Sequence, residues 1–339
     1  MTASPHCNDP IPVDSTEVEL ISALYGATEA VSGTDLANRI GRSRTTVHTK
    51  IEQLKKEGFD IHASTRSGYR LEKIPPKLSP PLVQFFSRDL AETVPIFFYA
   101  SVDSTNLEAE RLCTGGQEPP FAVIASQQYA GKGRLGRSWH SQSEDNLYCS
   151  IAFAPNTEAE KLQSFTLWAG IEICRRLQNW VPDLPLKIKW PNDLYCNGKK
   201  FSGMLTEARI DSDRMQTLIL GLGLNLNSPK TAFPEELRGK ATSLRAEANT
   251  SFEINALTIE IIRASLFAYK NCIDEQTTES LDAAWDSLDY LKGKTISLRE
   301  KGQVYSGIAS GISANGALQV RLNCGSIKSI HSGDITLNL

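Results

Sequence analysis

Apolar positions recur with different periods along the chain, and the changes of period divide it. Val18, Ile21 and Leu24 share one helical face. Thr34 reads as the N-cap of a short helix through Leu36 and Ile40, stopped at Gly41. Ser43 caps the next helix, with Val47, Ile51 and Leu54 at i, i+4 and i+7 and an end at Gly58. Two β-type runs, Phe59 to Ile61 and Tyr69 to Leu71, flank Ser67-Gly68 and predict a hairpin. Helix, turn, helix and hairpin in that order predict a winged helix-turn-helix. Pro75-Pro76 and Pro80-Pro81 predict a stiff linker, with a domain boundary there.

From Phe97 to about Asn227, β-type runs alternate with helical stretches, which predicts a mixed α/β domain. Phe121 to Ala125 reads as a strand. Leu186, Ile188 and Trp190 alternate with Lys187 and Lys189 as another, ended by Pro191. Asn197-Gly198 marks a tight hairpin, and Leu218 to Asn227 has the composition of a buried strand. After helical stretches through about Leu288, short β-type runs follow at Thr295 to Leu298, Val304 to Ile308, Ala317 to Leu322 and Ile327 to Ile330. Gly302, Asn315-Gly316 and Gly325 separate them at the spacing of a small barrel. The expected fold is an α+β multidomain chain: residues 1–74 winged helix-turn-helix, 75–288 mixed α/β, 289–339 a small β-barrel.

Composition agrees with this division. Of 339 residues 40% are hydrophobic and 22% charged, with a net charge of -3, values that exclude disorder, collagen and coiled coil. The longest apolar run, Leu218 to Leu226, is interrupted by two glycines and an asparagine, so no membrane helix is expected. The N-terminus lacks the basic-then-apolar order of a signal peptide, and the expected location is the cytoplasm. The seven cysteines, Cys7, Cys113, Cys149, Cys174, Cys196, Cys272 and Cys324, form no C-x-x-C pair and fit reduced thiols. With five scattered histidines and no EF-hand spacing, no protein-built metal site is expected.

Charge is distributed unevenly. Residues 1–37 hold six acids and no Lys or Arg, whereas residues 38–73 hold nine cations against four acids. The basic stretch covers the second helix and the wing, which favours phosphate contacts, although a basic face on a small helical domain is the plain alternative. Arg42, Ser43, Arg44, Thr45, His48 and Thr49 lie at the start of the second helix, off its apolar stripe, where a recognition helix meets DNA.

The middle domain carries a second cationic feature, Gln128 through Trp139 (QYAGKGRLGRSW). Gly131, Gly133 and Gly136 match G-x-G-x-x-G formally, but three cations interleave them and no amphipathic helix follows, so a dinucleotide fold is rejected. No G-x-x-x-x-G-K-[ST] occurs. The segment suits a loop whose backbone N–H groups and cations meet an anion such as a phosphate or acyl phosphate; an exposed basic turn is the alternative. The run Lys189-Trp190-Pro191-Asn192-Asp193 sets a lysine at a strand end, where its charge has a fixed position. Gly221 and Gly223 leave room for a ligand against the backbone. Asp103-Ser104-Thr105-Asn106 aligns hydrogen-bonding side chains that also suit a helix N-cap.

In combination these residues resemble the bacterial biotin protein ligases of the bifunctional type, the biotin operon repressors, over essentially the whole chain. Ser104-Thr105-Asn106, Gln128, Gly131 to Trp139, Lys189 to Asp193, Lys200 to Gly203 and Gly221-x-Gly223-x-Asn225 carry the match. The resemblance implies that biotin and MgATP give biotinyl-5'-AMP, and that biotin then passes to a lysine of a carboxylase carrier domain. It implies catalytic roles for Lys189 and Arg134. Biotin contacts fall to Ser104, Thr105, Asn106, Gln128, Lys132, Gly133, Arg134, Lys189, Gly221 and Gly223. Contacts to ATP and the adenylate fall to Arg134, Arg137, Trp139, Asn192, Asp193, Lys200 and Asn225. It further implies Mg2+ held mainly through phosphates, an SH3-like C-terminal barrel, operator DNA of biotin genes as a partner, and a homodimer when adenylate is bound. Lys132 stands where the family usually has arginine, a substitution that keeps charge but loses the planar fork. Three other readings stay open: a ligase without DNA binding, a lipoate-type ligase, and a ligand-sensing repressor without chemistry.

Overall fold

The computed structural model describes residues 9–64, 66–211, 214–274, 279–300, 303–331 and 333–337. Cys7, Gly302 and the first eight residues, on which part of the sequence reading rests, lie outside the described residues.

Helices α1 (Ser15–Leu24), α2 (Gly33–Ile40) and α3 (Arg44–Lys56) close on a core of Leu20, Ile21, Leu24, Leu36, Val47, Ile51 and Leu54. Ser43 caps α3 as expected, its Oγ accepting from the Thr46 N–H at 3.1 Å. The cap of α2 is Ser32 rather than Thr34. Ser32 has the extended backbone a cap requires, its Oγ accepts from the Asp35 N–H at 3.0 Å, and its hydroxyl donates back to the Asp35 carboxylate, while Thr34 already lies in the first turn. Strands β1 (Asp60–Ser64) and β2 (Gly68–Lys73) pair antiparallel as the wing. Lys50 of α3 pairs with Asp14 and Glu17 at the start of α1. The Lys50 ammonium pulls the Asp14 carboxyl below its usual range, and burial pushes Glu17 up.

Pro80-Pro81, expected in the linker, instead opens helix α4 (Pro80–Phe86). Proline suits a first helical turn because those N–H groups have no intrahelical partner to lose. Successive residues of α4 join different cores: Leu82 packs with the N-terminal cluster and Val83 with the central one. A second tie runs from the Ile11 N–H to the Phe98 carbonyl at 2.7 Å.

The central sheet contains β3 (Ile96–Val102), β4 (Phe121–Gln128), β5 (Leu147–Phe153), β6 (Thr157–Glu158), β7 (Leu186–Lys189), β8 (Asp193–Cys196), β9 (Lys199–Asp211) and β10 (Arg214–Leu224). Its order is β3-β4-β5-β10-β9-β8-β7, with β6 on β10; β3 and β4 run parallel and the remaining pairs antiparallel. Helix α5 (Thr105–Thr114) covers part of one face. Helices α6 (Phe165–Trp180), α7 (Leu244–Ala248), α8 (Ile254–Asp274) and α9 (Leu281–Asp286) complete the helical set, with α6 and α8 on the other face. Strand β4 is buried on both sides: Ala122 and Ile124 face the large core, Phe121, Val123 and Ala125 the α5 side. Asn197 and Gly198 both take positive φ, 49° and 76°, the turn their dipeptide predicts between β8 and β9. No helix among the described residues is long and apolar enough to cross a membrane.

The C-terminal strands β11 (Thr295–Glu300), β12 (Gln303–Ile312), β13 (Leu318–Leu322), β14 (Ile327–Ile330) and β15 (Asp334–Leu337) form an antiparallel sheet in the order β14-β13-β12-β11-β15. Trp190 ties this unit to the central sheet, its indole N–H donating to the Gly316 carbonyl at 2.9 Å.

Candidate active site

Sheet register assembles the site. One cross-strand row runs Lys189, Asp193, Gly203, Gly223 from β7 to β10, and a second runs Leu205, Gly221, Ser150 from β9 to β5. Strand side chains alternate with period two, so Gly203 and Leu205, and likewise Gly221 and Gly223, present one face. Glycine at 221 and 223 leaves that face hollow. A Cβ on Gly221 would stand 2.1 Å from Asn106 Oδ1, and one on Gly223 2.3 Å from Trp139 Nε1. Over these rows lies a cavity of about 620 Å3, inside the roughly 300–1,000 Å3 range of small-molecule sites.

The parallel pair β3 and β4 ends at one edge of the cavity, which brings the start of α5 to Gln128. Gln128 Oε1 accepts from the Thr105 N–H at 2.8 Å, and its amide donates to Ser141 Oγ at 3.0 Å. Ser150 Oγ lies 2.7 Å from Thr105 Oγ1 and 2.6 Å from Asn106 Oδ1. Ser104, Thr105, Asn106 and Gln128 are all buried and all line the cavity. Ser104 occupies the N-cap of α5 without making a side-chain capping bond, so its hydroxyl is not spent on the helix.

The glycine and cation segment folds over the mouth. Lys132 bridges Ser138, the Trp139 N–H donates to the Gly131 carbonyl at 2.8 Å, and Leu135 takes φ 56° at the exposed tip. Arg134 donates to Asn192 Oδ1 at 3.2 Å, joining this loop to the Trp-Pro-Asn-Asp run, and Asn192 in turn donates to the Met204 carbonyl. Lys200 pairs with Asp193 at 2.7 Å and sits 5.1 Å from the Trp139 ring centroid. Lys132, Arg134, Arg137, Lys189, Lys200 and Lys240 line the cavity against Asp193, an excess of cations that suits anions.

The structure thus brings together the residues singled out in the sequence, with one exception. Asn225 does not line the cavity; its amide donates to the Thr242 carbonyl at 3.1 Å and its N–H to the Phe201 carbonyl. There it braces the segment that carries Lys240, whose carbonyl accepts from the Lys200 N–H. Lys240 also lines the cavity without a mark in the sequence, as do Met204, Leu205 and Leu222 of the sheet and Gly333, Ile335 and Thr336 of the C-terminal unit. Nothing local in the 233–244 stretch distinguishes Lys240 from an ordinary surface lysine.

In the N-terminal unit Arg42, Ser43, Arg44, Thr45, His48 and Thr49 are all exposed on one end of α3. The wing reaches this helix, with the Tyr69 hydroxyl 3.4 Å from His48 Nδ1. Arg66 at the turn of the wing and Arg70 on β2 are exposed as well, the latter paired with Glu72.

Residues 98–225 match the Biotin/lipoate A/B protein ligase family, residues 18–70 an HTH domain and residues 293–337 the Biotin protein ligase C terminal domain. The bifunctional ligase/repressor BirA of Bacillus subtilis (strain 168) is 32% identical over 94% of this chain and 97% of its own length. The bifunctional ligase/repressor BirA of Escherichia coli (strain K12) is 27% identical over 96% and 98%. Among solved structures, the biotin protein ligase of Aquifex aeolicus in complex with biotin and ATP superposes with a TM-score of 0.61 at 29% identity, covering 72% of this chain and 98% of that one. At 32% identity over 94% of its length, and with helix-turn-helix, ligase and C-terminal models matched in that order, the chain belongs to the biotin protein ligase family, among the members that join a helix-turn-helix unit to the ligase.

Proposed function

We propose that this protein activates biotin with ATP to biotinyl-5'-AMP, transfers the biotinyl group to a lysine of the biotin carboxyl carrier domain of acetyl-CoA carboxylase, and represses the biotin operon with the adenylate as corepressor. The observation that carries the reading is one cavity holding both a buried polar pocket, Ser104 to Asn106 with Gln128, and a strongly cationic wall. In the first step a biotin carboxylate oxygen attacks the α-phosphorus, the bond to the β-phosphate oxygen breaks, and pyrophosphate leaves. Two anions must be held together for this, and positioning and charge supply most of the rate. Lys189, at a strand end beside Asp193, would neutralise the carboxylate and the α-phosphate. Arg134, supported by Arg137, would give charge-assisted hydrogen bonds to the phosphates. In the second step the carrier amine attacks the acyl carbon and AMP leaves.

Ser104, Thr105, Asn106, Gln128, Lys132, Gly133, Arg134, Lys189, Gly221 and Gly223 form the biotin end in this reading. Arg134, Arg137, Trp139, Asn192, Asp193 and Lys200 form the ATP and adenylate end. Asn225 acts there from behind, through the 240–244 segment. Trp139 Nε1 is a buried donor without a hydrogen-bond partner among the described residues, which fits a group awaiting a ligand acceptor. Asp193 is the one carboxylate among the described residues that line the cavity, and Lys200 holds it. Mg2+, a hard cation that keeps phosphate and water oxygens, would arrive with ATP and be held mainly by its phosphates.

The units divide as 1–74 for DNA, 75–288 for chemistry and 289–339 for the C-terminal SH3-like barrel, in the cytoplasm, where both ATP and DNA are met. Arg42, Ser43, Arg44, Thr45, His48 and Thr49 would contact the operator. Adenylate binding would order the loop over the cavity and promote a homodimer, and two tethered readers bind two half-sites more tightly than one. Biotin-dependent exchange of pyrophosphate into ATP tests the chemistry, and its absence in the purified protein would overturn the reading.

A further inference from the structure

Glu207 does not line the cavity, yet it decides what the cavity's buried amide shows to a ligand. Asn106 is almost fully buried, and its amide can stand in either of two orientations that differ by exchange of oxygen and nitrogen. Its surroundings choose one. Nδ2 donates to Glu207 Oε2 at 2.7 Å and to the Leu205 carbonyl at 3.3 Å, both groups that only accept when the carboxyl is ionised. Oδ1 stands 2.6 Å from the Ser150 hydroxyl and beside Gly221, whose missing side chain leaves it open to the cavity. The other oxygen of Glu207 faces Lys132 on the covering loop at 3.9 Å. That second contact is long and its partners are two-fifths exposed, so it contributes little. The short bond to Asn106 is the one that matters.

We propose that Glu207 is a positioning residue that locks the Asn106 amide with its oxygen toward the biotin end of the cavity, so that the site offers an acceptor there and selects a ring N–H such as that of a cyclic urea. This rests on the reading of Ser104 to Asn106 as the biotin end. The Leu205 carbonyl holds the same nitrogen at 3.3 Å, so the acceptor-only carboxylate at 2.7 Å is the stronger part of the lock. A glutamine at 207 can turn its own NH2 toward Asn106 and let the amide reverse, placing two donors against a ligand N–H. An aspartate keeps the carboxylate, one methylene short.

Steady-state kinetics of E207Q, E207D and N106A in the full chain test this, with biotin and ATP varied separately. E207Q should raise KM for biotin about tenfold, the worth of one hydrogen bond to a charged group, with kcat and KM for ATP within about threefold of the parent. E207D should recover most of the loss, to within about threefold. The double variant N106A/E207Q should bind biotin no worse than N106A, because a residue acting through another adds nothing once that other is gone. Equal KM for biotin in E207Q and the parent, equal losses in E207D and E207Q, or additive losses in the double variant would each overturn the role of Glu207. An unchanged KM in N106A would instead overturn the biotin end itself, so the two failures are distinguishable.

Discussion

The indole of Trp139 lies directly against the backbone of Gly223. A Cβ at 223 would meet Nε1 at 2.3 Å and Cε2 at 2.4 Å, so the covering loop can take this position only because residue 223 has no side chain. Gly223→Ala should therefore displace Trp139 and Lys200, which sits over it, while leaving the strand pairing of β10 with β5 and β9 in place. Overpacking of this kind would cost roughly 1–3 kcal/mol if the indole stayed docked, so the loop lifts away instead. We expect KM for ATP to rise about tenfold or more, and the adenylate to escape faster, with a thermal midpoint close to the parent. Unchanged ATP kinetics would show that Trp139 does not dock there during turnover.

Lys189→Met should abolish adenylate formation, by roughly two to three orders of magnitude if one preorganised charge is lost. The half-buried side chain stands at the end of β7 and the fold should survive its neutralisation. Biotin-dependent exchange of pyrophosphate into ATP, read beside circular dichroism, decides the matter. Near-normal exchange would remove Lys189 from the chemistry.

Lys132 lines the cavity and faces Glu207 at 3.9 Å. Lys132→Arg restores the planar fork usual in the family and should slow escape of biotinyl-5'-AMP roughly 3- to 30-fold, the worth of one charge-assisted hydrogen bond. The quantity to follow is the dissociation rate of pre-formed adenylate. A rate equal to or faster than the parent's would mean that the arginine pairs with Glu207 instead.

Arg44 is exposed at the first turn of α3, far along the chain from every residue lining the cavity. Arg44→Ala should weaken operator binding by roughly 1–3 kcal/mol while biotin transfer to a carrier lysine proceeds at the parent rate. Operator affinity should also rise when biotin and ATP are added, in step with dimer formation followed by sedimentation. Equal affinity in both ligand states would rule out coupling through the adenylate. Loss of transfer in Arg44→Ala would rule out the division of labour between the units.

Burial pushes the thiols of Cys149, Cys174 and Cys272 up to about 12 and that of Cys196 to about 11. Cys324 is exposed, and a hydrogen bond from the Ser326 hydroxyl holds it below the usual range. Because the thiolate is the reactive form, alkylation of the native protein at pH 8 should modify Cys324 first among the described cysteines. Peptide mass mapping over time would contradict this if any of the four buried thiols reacted as fast.

Local chemistry was legible in the sequence wherever neighbours along the chain determine it. The caps and stops of α3, the Asn197-Gly198 turn, the strand ending at Lys189 and the approximate places of four of the five C-terminal strands, β15 being the one missed, all follow from periods of two and 3.6 and from residues that tolerate special backbone angles. The match to a known family likewise rests on short runs that are contiguous in the chain. The Ser32 cap of α2 is equally local, a reciprocal pair with Asp35 that competed with Thr34, whereas Pro80-Pro81 starts a helix whose Leu82 and Val83 serve two cores, a role no local pattern encodes.

The site itself shows the same division. Lys189, Gly221 and Gly223 could be picked from the chain as candidates, but their arrangement in registered rows across β7 to β10 and β5 depends on long-range strand pairing. Side chains supplied from one face of a sheet carry no sequence mark of their neighbours two strands away. Hence the resemblance puts Asn225 among the nucleotide contacts, whereas the turn after β10 sends its amide to the Thr242 carbonyl. Lys240, Ile335 and Thr336 reach the cavity from loops and a strand with ordinary composition, and only packing of the C-terminal sheet and the 233–244 segment against the central domain brings them there. Sequence determines which groups exist and their local conformation; the burial of apolar faces between distant segments decides which of them meet.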